Sequence, residues 1–231
     1  MGGNALKAKS RRVALYGLLV ALMLVLGLLD KSIPITWFLS GAIPGIKLGL
    51  ANTVLLYAIY LMDWQSGVLL MVAKAVLSGF IYGSVTAVLI SLSGGVLSLL
   101  VMLAIKRNPG AGALTVSGLS AAAGVWLLLR RVRLRGDMLW CAILLLVACA
   151  AGVAVFLFVR KNRENGVVAT SMIGAVCFNI GQTLMAVAVM RTPQLLYTYL
   201  PFLVGMGAAV GSLTGIVARR VFLALRAMPK R

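Results

Sequence analysis

VALYGLLVALMLVLGLLD, residues 13–30, runs from Val13 to Leu29 without a charged side chain before it meets Asp30. As a helix, a run of that length nearly crosses the ~30 Å hydrocarbon core of a bilayer. Lys7, Lys9, Arg11 and Arg12 precede it, as basic residues precede the apolar part of a signal peptide. The run reaches Asp30 without a small-residue cleavage pattern, and it reads as a retained anchor.

The rest of the chain is of the same kind. Of 231 residues, 62% are hydrophobic and 11% charged, and the mean hydropathy is +1.06. Further apolar runs place spans at about 43–62, 66–83, 84–105, 111–129, 138–159, 167–190 and 200–218, which with 13–29 makes about eight. Backbone polar groups must be paired within lipid, and the ten-residue alternation of a barrel strand is missing, so the spans are expected to be helices. The expected fold is an all-α integral membrane protein in one membrane domain over 1–231, without a soluble domain. Ala111–Leu129, rich in Gly, Ala and Ser, is the weakest span and also fits a re-entrant or surface segment.

A formal net charge of +18 would suit nucleic acid, but most of the 22 basic residues fall on one side of the expected spans. That is the positive-inside distribution, whose ordinary partners are anionic headgroups of the lipid bilayer, and no nucleic acid is expected. It places both termini in the cytoplasm. Arg130, Arg131, Arg133 and Arg135 object, because they fall outside in an eight-span drawing, and the region 107–165 must contribute either two spans or none to keep the termini together.

Catalytic chemistry finds few residues to work with. The chain has no His, and its four acids are Asp30, Asp63, Asp137 and Glu164, each near a helix end. No catalytic residue, metal site or cofactor is assigned. Cys141, Cys149 and Cys177 read as small buried side chains. The phosphate-binding loop pattern is missing, so any work that needs ATP requires another subunit.

Polar residues inside apolar runs are the candidates for a site. Lys74 lies near the middle of its span and Lys47 near the presumed outer end of another; a lysine at mid-membrane costs on the order of 3 kcal/mol, which points to a cavity or an anion, while snorkelling to headgroups is the alternative. Lys74, Ser78 and Tyr82 recur every four residues on one face. Ser91, Gly95 and Ser98 share another face, as do Ser171, Asn179 and Gln182. The three stripes either line one cavity or only bond helix to helix. Gly41, Gly45 and Gly49, and likewise Gly207, Gly211 and Gly215, repeat at the spacing that lets helices approach closely. Ala14, Gly17 and Ala21 form a smaller face of that kind on the first span, open to another helix or another subunit.

The stretches "PGIKLGLANTVLLYAIYL" (44–61), "SLSGGVLSLLVM" (91–102), "NIGQTLMAVAV" (179–189) and "YLPFLVGMGAAVGSLTG" (199–215) resemble the Gx transporter family, also labelled heptaprenyl diphosphate synthase component I. That family is similar to the S components of energy-coupling factor transporters, and the resemblance covers roughly 10–105 and 166–220. It implies a bacterial plasma-membrane protein with a six-helix core; the region at about 107–165, read as a two-helix insertion, has no counterpart in the family pattern. It further implies capture of a small solute, such as an anionic vitamin or a flavin, with ATPase subunits and a transmembrane coupling subunit docked on Ala14, Gly17 and Ala21. Candidate solute-binding residues are Lys47, Asn52, Lys74, Ser91, Asn179 and Gln182. Where the family usually reads His-Asn-Ile-Gly-Gln this chain has Phe178 before Asn179, and Lys74 replaces a usual arginine, keeping the charge without the bidentate geometry. The older label implies instead a noncatalytic subunit of prenyl diphosphate synthesis, since four scattered acids cannot build the Mg²⁺-holding aspartate motifs of that reaction.

Overall fold

The computed structural model describes residues 2–32, 49–107, 166–192, 196 and 199–227. These form six helices: α1 (Gly2–Ser32), α2 (Asn52–Leu61), α3 (Trp64–Tyr82), α4 (Val85–Arg107), α5 (Gly166–Met190) and α6 (Leu200–Ala227). No strand occurs among the described residues. Five of the helices, all but the short α2, are long and apolar enough to cross a membrane. The chain is a multi-pass helical protein of the membrane type.

The burial pattern fits that solvent. Large apolar side chains such as Leu18, Phe80 and Leu213 face outward, while Asn52, Lys74, Ser78, Ser91, Ser98, Asn179 and Gln182 are buried among the helices. In hydrocarbon the polar atoms are the ones that must be hidden and paired, which inverts the arrangement of a water-soluble bundle.

Glycine decides which helices come close. α5 packs most extensively, with α6 on one side and α4 on the other. A Cβ on Gly181 would lie 2.9 Å from Gly94 Cα and 2.9 Å from Ser93 O, so α4 and α5 touch backbone to backbone there. On the other side, Gly211 and Gly215 of α6 face Met172 Cα and Val168 Cα of α5 at 2.7 and 2.8 Å by the same measure. Small residues thus account for both interfaces, at a spacing of four on α6 and by one glycine pair between α4 and α5.

Short connections then order α2, α3 and α4. Met62 is extended and Asp63 precedes α3 in extended backbone. Gly83, at φ 63°, ends α3 in the left-handed conformation that costs glycine little. Ser84 Oγ then accepts a hydrogen bond from Ala87 N at the start of α4. α1 lies mainly against α3, with Gly27 beside Ile81, and its buried residues Leu19, Met23, Gly27 and Asp30 recur about one turn apart.

The second span differs from the expectation that it runs as one helix from 43. Gly49 has φ +89° and three tight turn bonds, Asn52 N to Gly49 O, Thr53 N to Leu50 O and Val54 N to Ala51 O, lead into a helix that begins only at Asn52. The left-handed residue cannot continue a right-handed helix. α6 also extends well beyond the expected end at 218, to Ala227. Lys47, the expected fifth and sixth spans, Cys141, Cys149 and the four arginines at 130–135 lie outside the described residues.

Candidate functional site

Lys74 sits 10 residues from the first residue of α3 and 8 from its last, so its Cα is roughly 15 Å and 12 Å from the two ends. Its residue is only 3% exposed. The ammonium donates to Asn52 Oδ1 at 2.9 Å and rests 3.7 Å from the ring centroid of Phe178 on α5. Both contacts suit a cation: one offers an amide oxygen and the other the electron-rich face of an aromatic ring.

Asn52 is the hub. As the first residue of α2, it is held by the Gly49 turn, and its Nδ2 donates to Ser98 Oγ at 2.8 Å and to Gly174 O at 3.1 Å. One side chain therefore links α2 to α3, α4 and α5. Phe178, fully buried, is the second hub, because its ring packs beside Gly49 and Gly94 as well as under Lys74. A Cβ on Gly94 would stand 2.7 Å from Phe178 O and 2.9 Å from Phe178 Cδ2. The ring fits only because both of these neighbours are glycine.

Two more groups extend the polar interior. Ser78 Oγ donates to Lys74 O at 2.8 Å and pairs with Ser91 Oγ at 2.9 Å, joining α3 to α4. Gln182 Nε2 donates to Asn179 Oδ1 at 2.9 Å, and Asn179 Nδ2 donates to Leu203 O of α6 at 2.6 Å. Thus Asn52 and Lys74 are in direct contact, Ser91 reaches Lys74 through Ser78, and Asn179 and Gln182 form their own pair facing α6. Ser171 bonds Thr214 of α6 rather than joining Lys74.

Asp30 joins the site only in the structure. It is fully buried, and its Oδ2 accepts hydrogen bonds from Gly49 N and Leu50 N, both at 3.2 Å. In sequence it looks like the charged end of an apolar run; the signal that singles it out is the fold that brings α1 back to the start of α2. In sequence Phe178 is only a departure from a motif, and its contact with Lys74 depends on how α3 and α5 pack.

Ala14, Gly17 and Ala21 are exposed on the outer face of α1, and nothing lies within 4 Å of a Cβ built on Gly17. An apolar groove of ≈ 330 Å³ lies elsewhere, where Val76, Gly79 and Phe80 of α3 meet Val85 and Val88 of α4. Among the described residues, no three His, Cys, Asp or Glu side chains gather as metal ligands.

A family model described as heptaprenyl diphosphate synthase component I matches residues 19–153 and 127–221. The chain belongs to that family. Comparisons with curated proteins and with solved structures returned no match. As a heptaprenyl diphosphate synthase component I family member, it carries the name of one part of a synthase, which implies partner subunits. A multi-pass helical bundle of this family is compatible with a noncatalytic membrane subunit.

Proposed function

We propose that this chain is a membrane-embedded solute-binding subunit that captures a small anionic molecule and works with separate coupling and ATPase subunits. The observation that carries the reading is the burial of Lys74, 3% exposed at the centre of a spanning helix, where α2, α3 and α5 converge on its ammonium. Cations inside membrane bundles are expensive to place, and they mark substrate or ion pathways more often than they serve packing alone. A positive charge in the bundle interior favours a ligand with a phosphate or carboxylate group, and a flavin such as FMN combines such a group with an apolar ring. Asn52, Ser91, Asn179 and Gln182 are proposed to supply neutral hydrogen bonds once the helices part, and Lys47 a second charge at the mouth. The exposed Ala14, Gly17 and Ala21 face is proposed to receive the coupling subunit.

The family description favours a second reading, a noncatalytic membrane partner in prenyl diphosphate synthesis. Both readings give Lys74 a phosphate-bearing ligand. They part on what the rest of the ligand is.

Thermal unfolding of the purified protein in detergent, with riboflavin, FMN and prenyl diphosphates added in turn, separates them, because a ligand that binds only the folded state raises its apparent stability. A saturable shift with FMN supports solute capture. A shift confined to prenyl diphosphates moves the protein to the second reading, and no shift with any of them removes the anion-binding proposal.

A further inference from the structure

Asp30 ends the inward row of α1, and its carboxylate reaches across to the backbone on the far side of residues 33–48. Gly49 and Leu50 point their N–H groups at the same carboxylate oxygen, both at 3.2 Å. Two successive amides converging on one anion is the geometry of a small backbone nest, and here an internal side chain fills it. The nest opens α2: Gly49 O accepts from Asn52 N at 2.9 Å, and Asn52 Oδ1 accepts from Lys74 Nζ at 2.9 Å. Gly49 also backs the Phe178 ring on which the ammonium rests.

We infer that Asp30 is the positioning residue of the Lys74 site, a carboxylate latch that holds the Gly49–Leu50 turn and through it sets where Asn52 and Phe178 hold the ammonium. Hydrogen bonds to a charged acceptor are about twice as strong as neutral ones. The chain of contacts runs from α1 through a left-handed glycine to the lysine. The inference goes beyond the assignment of a ligand, and it rests on the proposed function only for calling Lys74 a binding residue.

The test uses no ligand, so its failure is separate from a failure of the ligand screen. Hydrogen exchange is followed in the peptide covering the Gly49–Leu50 turn, together with reductive methylation of the α3 peptide, whose one lysine is Lys74. Asp30→Ala is expected to speed exchange at the turn at least tenfold and to open Lys74 to methylation. Asp30→Asn, which keeps a carbonyl acceptor in place of the carboxylate, is expected to fall between wild type and Asp30→Ala. Ile105→Ala, a cavity variant at the far end of α4, serves as a control for general loosening and is expected to leave both readouts near wild type. The inference is overturned if Asp30→Ala leaves both readouts unchanged, or if Ile105→Ala moves them as far as Asp30→Ala does. It is overturned equally if Asp30→Asn gives no rescue. Should Asp30→Ala fail to fold, Asp30→Asn against Ile105→Ala decides: faster turn exchange and greater lysine labelling than in the control are expected, and equal values refute the latch.

Discussion

Replacing Lys74 by Met separates a lysine kept for a ligand from one kept for packing. The two side chains have similar length, so the variant removes the charge while largely filling the same volume. The ammonium's placement costs about 3 kcal/mol in a membrane interior, and Met does not incur that cost. Against this, the variant loses the hydrogen bond to Asn52 Oδ1, about 2 kcal/mol for a charged donor. It also loses the contact with the Phe178 face, about 1 kcal/mol. These terms cancel to first order. What remains is Asn52 Oδ1 left without its lysine donor in a buried position, a cost of about 1–2 kcal/mol.

Lys74→Met is therefore expected to lower unfolding stability by about 1–2 kcal/mol in a reversible detergent titration. Lys74→Ala adds a cavity and should cost about 2–3 kcal/mol more. Affinity for a phosphate-bearing ligand should fall about 10- to 100-fold in Lys74→Met, the equivalent of one charge-assisted hydrogen bond. A stability loss of about 4 kcal/mol or more in Lys74→Met, with ligand response intact, would refute the reasoning, because Lys74 would then be a structural strut.

Three further outcomes follow from particular contacts. Gly181→Ala drives a Cβ into the backbone of α4 and should cost about 1–3 kcal/mol in the same titration, whereas Gly17→Ala, with open space around it, should be neutral. Asn179→Ala removes the hydrogen bonds to Leu203 O and from Gln182 Nε2 and should destabilise by about 1–3 kcal/mol, with faster hydrogen exchange at the start of α6; unchanged exchange there would mean that the pair does not hold α6. Gly17→Phe with Ala21→Phe should leave unfolding of the isolated chain unchanged but reduce co-purification of partner subunits, and equal recovery would remove the docking face.

How much of this was legible beforehand depended on the range of the interaction. Helical spans are local facts: a run such as Val85–Ile105 has no other use in water or lipid, and the helices found at 64–82, 85–107 and 166–190 lie close to where hydropathy places them. The glycine repeat in α6 was legible for the same reason, since a spacing of four puts small residues on one face whatever that face meets. Gly49 was harder. In sequence it continues a four-residue repeat and suggests a helix, while in the structure it takes φ +89° and ends any such helix before Asn52. Glycine permits both conformations, and its N–H is held by Asp30 in the left-handed one.

By itself, then, the sequence determined that this chain is a bundle of membrane helices, because burial in hydrocarbon depends on apolar length and on little else. It also singled out Lys74, Asn52, Ser91, Asn179 and Gln182, since polar atoms inside apolar runs must find partners. Which partners they find was decided by the tertiary structure alone. Lys74 meets Asn52 across 22 residues and Asn52 meets Gly174 O across 122, and neither separation leaves a periodic trace in the chain. Asp30 reaches the start of α2 for the same reason. Hydrogen bonds are short-ranged and directional, so their pairing is set by which helices the glycines allow to approach, and that choice is made only once the bundle closes.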